Sequence, residues 1–198
     1  MKSIKYFFQF IFIFFLFIIF KILGLRISTN FASLLFKIIG PLFRSKQLIK
    51  KNILKAFPNI NKIDLNKIAT NMWGNYGRIL AEYIFLKNFR NTIQKDNLEI
   101  VGQEILEEIK NSKKPVIFIS GHFNNFELMA MHIEKSGIDV AAIYRPLNNY
   151  FLNVVMERIR KKYICKNQIK KGFAGSRQLL SYFKKGHSIA LMIDQRVS

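Results

Sequence analysis

Residues 115–127, Pro-Val-Ile-Phe-Ile-Ser-Gly-His-Phe-Asn-Asn-Phe-Glu, decide how the rest of the chain is interpreted. The apolar run before Gly121 predicts a buried strand, and the polar cluster after it predicts a turn into a helix that begins near Asn125. His122 then stands at the carboxyl end of a strand, where open α/β sheets bind their ligands. Glu127, five residues later, completes the layout of a general base with an orienting acid. The alternative is a turn histidine that makes only local hydrogen bonds.

The segments around this stretch alternate between strand and helix. Strands are predicted at 115–120, 140–144 and 189–193, with helices at 104–110, 125–136, 149–161 and 173–184 between or beside them. Strands separated by helices predict parallel βαβ units with right-handed crossovers. We therefore expect an α/β catalytic core over residues 98–198, with a sheet flanked by helices.

The N-terminal residues have a different character. The run Tyr6–Phe20 contains Gln9 as its only polar side chain besides the tyrosine hydroxyl, and with residues 22–25 it reaches roughly the 20 residues that cross a bilayer. Lys21 interrupts the run, so both a tilted span and an embedded monotopic helix fit. No small-residue cleavage site follows. We predict a retained membrane anchor over residues 1–26 and a helical segment over 27–97.

Composition narrows the function classes. The formal net charge of +20 allows nucleic-acid binding, but no nucleic-acid-binding motif accompanies the charge, and we predict no nucleic acid partner. A basic surface beside an anchor suits anionic lipid headgroups or an acidic carrier protein. The single cysteine, Cys165, excludes an internal disulfide and a cysteine-based zinc cluster. The basic bulk and the absence of disulfides favour a main domain on the cytoplasmic side.

Further candidate site residues follow the predicted strands. Arg145 comes directly after a strand, where a guanidinium suits a phosphate or carboxylate. Asp194 ends the last strand on the same edge, where its carboxylate can position a histidine or arginine; a cap or loop hydrogen bond is the alternative. Arg158 and Arg160 lie on a predicted helix, and one of them can turn inward. We predict that Arg158 contacts substrate; the alternative for both arginines is a solvated basic face.

Five segments in this order resemble the bacterial lipid A biosynthesis acyltransferases, the lauroyl and myristoyl transferases of the lysophospholipid acyltransferase superfamily. They are Asn-Ile-Leu-Lys-Ala-Phe-Pro at 52–58, Met-Trp-Gly-Asn-Tyr-Gly-Arg at 72–78 with Ala-Glu at 81–82, Gly-His-Phe-Asn-Asn-Phe-Glu at 121–127, Tyr-Arg-Pro-Leu-Asn-Asn at 144–149, and Asp-Gln at 194–195. The resemblance implies a glycerolipid-acyltransferase-like α/β fold and an O-acyltransferase of the bacterial inner membrane. It also implies that the chain lacks the C-terminal part of such an enzyme.

The resemblance assigns roles to several residues. His122 and Glu127 match the catalytic pair of the family's His-x-x-x-x-Asp/Glu motif, and Arg145 matches an arginine associated with substrate phosphate. Asn125 and Asp194 are expected to contact substrate, with backbone amides near Gly121 or at 124–125 as oxyanion donors. The expected partners are acyl carrier protein as acyl donor, a phosphorylated glycolipid acceptor and the membrane. No metal and no cofactor are expected.

Two alternatives stay open on the sequence. One is a transferase that acylates a lysophospholipid, glycerol phosphate or another glycolipid. The other is a catalytically inactive, anchored protein that binds anionic ligands through its charge.

Overall fold

The computed structural model describes residues 2–91 and 98–194 of the chain. Two short 3₁₀ turns, Gly40–Leu42 and Tyr83–Phe85, supplement the α-helices. The helices are α1 (Lys2–Ile39), α2 (Lys46–Ala56), α3 (Lys62–Glu82), α4 (Leu86–Asn91), α5 (Gln103–Ser112), α6 (Glu127–Lys135), α7 (Tyr150–Tyr163) and α8 (Phe173–Lys184). The strands are β1 (Ile117–Ser120), β2 (Val140–Tyr144), β3 (Asn167–Lys170) and β4 (Ser188–Met192).

The described strands form one sheet in the order β1-β4-β2-β3, and every strand pair in it is parallel. A helix separates each strand from the next along the chain, as the alternating sequence pattern predicts. The predicted fold class, an α/β fold with helices flanking a parallel sheet behind an apolar N-terminal helix, is confirmed. Because the strands are parallel, their carboxyl ends meet at one edge of the sheet.

The chain divides into two compact units. One unit is formed by the residues up to Ile13 together with those from Leu86 onward, and it contains the sheet. The other is Phe14–Phe85. The boundaries predicted after residues 26 and 97 stay predictions, and the second falls beside residues 92–97, which lie outside the described residues. Gln195 also lies outside them.

Within the sheet unit, a small apolar core joins three strands to α8. Ala141, Ile169 and Ile189 are buried next to one another, and Leu179 and Phe183 of α8 pack against them. Gly175 lets α8 approach closely, because a Cβ there would lie 1.9 Å from the carbonyl oxygen of Lys170.

Within the helical unit, α3 packs against α2 and against the second half of α1. Trp73 is buried with Ile49, Ile53 and Leu65. A Cβ on Gly77 would lie 2.2 Å from the carbonyl oxygen of Ala32, so this glycine permits direct backbone contact between α1 and α3. Asn61 caps α3 by accepting a hydrogen bond from the Asp64 amide at 2.9 Å.

The N-terminal helix meets the length and composition that a membrane span requires. The span over Lys2–Leu42 has a mean hydropathy of 2.6 in its most apolar window. Gly24 interrupts the helical backbone with φ 75° and ψ 169°, a conformation that glycine adopts without a Cβ penalty. The helix extends beyond the predicted anchor of residues 1–26, and the sequence analysis does not predict its interruption at Gly24.

Strand β3 is absent from the sequence prediction. Asn167–Lys170 contains three polar residues and a single buried apolar one, Ile169. A strand with one apolar residue gives no periodic signal, and it forms because β2 offers it a parallel partner.

Candidate active site at the carboxyl edge of the sheet

His122 and Asp194 form the central contact of the site. The Nδ1 atom of His122 lies 2.8 Å from Oδ1 of Asp194, and the backbone N–H of His122 donates to Oδ2 at 2.9 Å. The register of the sheet explains the contact. Ser120 of β1 pairs with Met192 of β4, and His122 and Asp194 each follow two residues later, so they leave the sheet side by side. One carboxylate thus fixes both the backbone and the ring of the histidine.

The Asp194 carboxyl group is shifted toward its charged form. The hydrogen bond from the His122 backbone N–H is the largest cause that lowers the pKa of Asp194, followed by the bond from the His122 ring. An ionised carboxylate only accepts hydrogen bonds, so Nδ1 of His122 is the donor in this pair. In the neutral imidazole the lone pair then belongs to Nε2, which is the form a general base requires.

Glu127 has a different partner from the one that the sequence suggests. We predicted that Glu127 orients His122; in the structure the carboxylate on Nδ1 is that of Asp194. The buried Glu127 accepts from Arg160, at 2.8 Å from Nε and 2.6 Å from Nη2. Glu127 begins α6, whereas Asp194 follows β4, the strand next to β1. The spacing of residues in the sequence does not reveal which strands are neighbours, so it did not reveal that Asp194 lies beside His122. The role of each acid stays a prediction.

Arg160, not Arg158, is the arginine of α7 that turns inward. Its side chain is 12% exposed and its guanidinium carbon lies 5.7 Å from the centre of the Tyr144 ring, whereas Arg158 is exposed. Tyr144 in turn donates its hydroxyl to Glu157. Arg160 stands four residues after the buried Met156, on the apolar face of the helix, and this spacing is the sequence signal that distinguishes it.

A cavity of about 540 Å³ collects most of these groups. His122, Glu127, Arg145 and Lys171 are all among its lining residues. Its described lining residues are His122, Phe126, Glu127, Ala130, residues 142–148, Arg160, Ile164, Gln168, Lys171 and residues 190–192. Asn125, Arg158 and Asp194, which are all predicted substrate contacts, are not among the described residues that line this cavity. Asn125 instead lies just before α6, and its carbonyl accepts from the Leu128 amide at 3.2 Å.

Lys171 is a cavity residue that sequence reasoning missed. Tyr144 pairs with Lys170 across β2 and β3, and the Lys171 amide donates to the Tyr144 carbonyl at 2.9 Å. Arg145 and Lys171 therefore follow two neighbouring strand ends. The missed strand β3 is the reason that Lys171 was missed.

His132 and Cys165 are not among the described residues that line the cavity, and each makes contacts elsewhere in the fold. His132 bonds Gln103 at 2.7 Å, and its pKa is lowered by burial and then by Lys135. Burial raises the pKa of Cys165 to about 11, so its thiol is protonated at neutral pH and is a poor nucleophile. Over residues 2–91 and 98–194, no group of three His, Cys, Asp or Glu side chains is arranged to hold a metal ion.

Comparison with known proteins places this site in context. A family model described as bacterial lipid A biosynthesis acyltransferase matches residues 1–198. A search of curated proteins gives no match.

Proposed function

Because this chain belongs to the bacterial lipid A biosynthesis acyltransferase family, we propose that it transfers a fatty acyl chain from acyl carrier protein to a hydroxyl of a lipid A precursor. Family membership makes the protein a membrane-associated acyltransferase with an acyl donor and a lipid acceptor. The proposal adds the donor protein, the mechanism and the location, which is the cytoplasmic side of the inner membrane. Its main support is that one cavity combines the carboxylate-bound imidazole of His122 with the cationic side chains of Arg145 and Lys171.

In the proposed reaction His122 acts as general base. Its Nε2 removes the proton of the acceptor hydroxyl while the oxygen attacks the thioester carbonyl, a contribution of typically about 100- to 10,000-fold. Asp194 holds Nδ1 protonated and stabilises the imidazolium that forms. The tetrahedral intermediate then expels the thiolate of the carrier's prosthetic arm, which takes the proton from the imidazolium. The products are the acylated acceptor and the free carrier thiol.

The oxyanion of that intermediate requires hydrogen-bond donors. Two amides of the turn are already engaged, since His122 donates to Asp194 and Phe123 donates to the Gly121 carbonyl at 2.9 Å. We assign the donor role to the following amide, that of Asn124. Asn124 has a φ of 42°, a left-handed conformation that is rare outside glycine and is often found at functional sites.

Glu127 and Arg160 form the second polar pair of the cavity. A buried carboxylate is costly unless a cation and further hydrogen bonds compensate it, and Arg160 contributes two close contacts. We assign this pair the task of keeping the start of α6 in place next to the His122 turn. Phe126 connects the start of α6 to the His122 turn, because its ring lies 4.5 Å from the His122 ring, centre to centre.

Arg145 and Lys171 are the proposed phosphate contacts. Both are cations at the ends of neighbouring strands, and an acceptor phosphate between them would gain charge-assisted hydrogen bonds. The high positive charge of the chain also favours an acidic carrier protein.

The test is an acyl-transfer assay with the whole chain in phospholipid vesicles. Acyl-loaded carrier protein is mixed with a lipid A precursor, and mass spectrometry measures the gain of one acyl chain. We expect the gain with the carrier and none with His122→Ala, which should retain the circular dichroism spectrum of the wild type. Acylation of a lysophospholipid but not of the precursor would instead establish the alternative acceptor. Salt-sensitive binding without transfer, unaffected by His122→Ala, would overturn the catalytic proposal.

A further inference from the structure

The first turns of α1 are tied directly to the start of α7. Asn149, 7% exposed, donates from Nδ2 to the Tyr6 carbonyl at 2.8 Å and to Oε1 of Gln9 at 3.4 Å. Its Oδ1 accepts from the Leu152 amide at 3.3 Å and so caps α7. One amide side chain therefore starts a helix of the sheet unit and holds the apolar N-terminal helix.

Neighbouring side chains extend this contact. The Ser3 hydroxyl lies 2.9 Å from the Tyr150 hydroxyl, and the rings of Tyr6 and Tyr150 meet edge to face at 6.2 Å. Phe7 and Phe10 both approach Phe151, with ring centres 5.8 and 5.9 Å apart. Aromatic pairs of this kind stabilise a contact beyond the area that they bury.

Gln9 acquires a specific role through this contact. It is the one polar side chain in the run Tyr6–Phe20 apart from the tyrosine hydroxyl. A glutamine inside a bilayer is costly unless it has a hydrogen-bond partner. Asn149 is that partner, because its Nδ2 donates to Oε1 of Gln9.

The contact between Asn149 and α1 lies next to the wall of the candidate active site. Residues 145–148 line the cavity and connect β2 directly to Asn149. The Leu147 amide donates to Oδ1 of Asn153 at 2.8 Å, which fastens the same segment to the first turns of α7. Movement of the start of α7 would therefore move this wall, including the cationic Arg145.

We propose that Asn149 is a positioning residue that fixes the cavity wall 145–148 to the membrane helix, so that the cavity accepts a lipid whose acyl chains stay in the bilayer beside α1. This proposal rests on the proposed function, which supplies the lipid substrate, and it adds how that substrate enters the cavity. Asn149 does not react with substrate. It sets the position of residues 145–148 relative to residues 3–10 of the helix. This position determines where the headgroup of an embedded acceptor enters the cavity.

The variant Asn149→Asp removes the hydrogen bonds to α1 but keeps the cap of α7. A carboxylate still accepts from the Leu152 amide, but it donates nothing to Tyr6 or Gln9 and faces their oxygens with a negative charge. We expect KM for an acceptor embedded in vesicles to rise about tenfold, the effect of losing roughly one hydrogen bond. KM for a short-chain acceptor analogue dissolved as monomers should stay within twofold, and kcat should change little with either. The double variant that combines Asn149→Asp with Gln9→Lys places a cation opposite the new carboxylate and should restore the wild-type KM.

Asn61→Asp is the matched control. Asn61 also caps a helix with Oδ1 and donates from Nδ2, here to Asp64 at 2.7 Å, but it lies at the start of α3. We expect no change in either KM. An equal rise in KM with Asn61→Asp, an equal rise for both acceptors with Asn149→Asp, or no rise at all would overturn the proposal.

Hydrogen–deuterium exchange tests the tie without any turnover. Asn149→Asp should accelerate exchange of the amides at 147–152, the added Gln9→Lys should reverse this, and Asn61→Asp should leave it unchanged. Unaltered exchange in Asn149→Asp would overturn the tie even with an active wild type. If the wild type transfers no acyl chain, the proposed function fails, and the exchange result together with binding of precursor-containing vesicles still decides this proposal.

Discussion

His122 and Asp194 form a two-point contact although 72 positions of sequence separate them. The carboxylate accepts from the histidine backbone and from its ring, at 2.9 and 2.8 Å. The contact exists because β1 and β4 are neighbours whose ends pair in register. Asp194 is therefore well placed to fix the orientation and the tautomer of the ring together.

Asp194→Asn should lower kcat by about 100- to 10,000-fold with little change in KM. The amide can donate to Nδ1, which would stabilise the tautomer whose proton is on the wrong nitrogen. Steady-state acyl-transfer kinetics measure the effect. Asp139→Asn is the control, since Asp139 is exposed and precedes β2 at the opposite end of the strand. A variant Asp194→Asn with full kcat would contradict the role of Asp194.

The lowered pKa of Asp194 predicts a pH dependence of stability. A carboxyl group whose pKa is lower in the folded state stabilises that state above its unfolded value of about 3.9, and the contribution is lost as the pH falls through the folded value. Wild type should therefore be more stable than Asp194→Asn at neutral pH, and the two should converge in strong acid. Thermal unfolding between about pH 2 and pH 7 measures this. A difference that grows on acidification would contradict it.

The sequence predicts the strand β2 and the helix α8 with the observed bounds, and it puts His122, Arg145 and Asp194 at one edge of a parallel sheet. These follow from local apolar patterns and from the topology of βαβ units. It names Asp194 as a carboxylate that can position a histidine or an arginine, but it assigns the orienting contact on His122 to Glu127, because the pairing of Asp194 with His122 depends on the order β1-β4-β2-β3. That order results from tertiary packing and has no local signature.

Gly77→Ala should destabilise the helical unit by about 1–3 kcal/mol, an overpacking cost. In an ordinary helix interior the same change stabilises by roughly 0.5–1 kcal/mol. Here the added Cβ would lie 2.2 Å from the Ala32 carbonyl oxygen, so α1 and α3 must separate. Asn71→Ala, at an exposed position of α3, is the control and should be neutral or stabilising. Denaturant unfolding that ranks Gly77→Ala at or above wild type would contradict the close contact.

Removal of Arg160 should test the buried ion pair. Arg160→Met takes the guanidinium from the buried Glu127 carboxylate, and we expect a loss of about 3–5 kcal/mol of unfolding free energy. Glu127→Gln combined with Arg160→Met removes both charges and should recover most of that loss. Arg158→Met, on the exposed face of α7, should stay within about 0.5 kcal/mol of wild type.

The same variants separate stability from activity. If the pair only keeps α6 in place, the double variant should regain acyl transfer together with stability. Recovery of stability without transfer would show that a charge at Glu127 or Arg160 acts in the reaction itself, contrary to the positioning role.

Lys171→Gln should raise KM for a phosphorylated acceptor by about tenfold to a hundredfold, because a charge-assisted hydrogen bond contributes about 1.5–3 kcal/mol. Lys170→Gln is a close control, since Lys170 is the last residue of β3 and directly precedes Lys171, is 65% exposed and pairs with Glu157 at 3.4 Å. The effect should vanish with an acceptor that lacks the phosphate, while Arg145→Gln should behave like Lys171→Gln. Equal effects at both lysines would indicate a general influence of surface charge, for example on carrier protein binding. An effect restricted to Lys171 and to phosphorylated acceptors would instead locate the phosphate between the ends of β2 and β3.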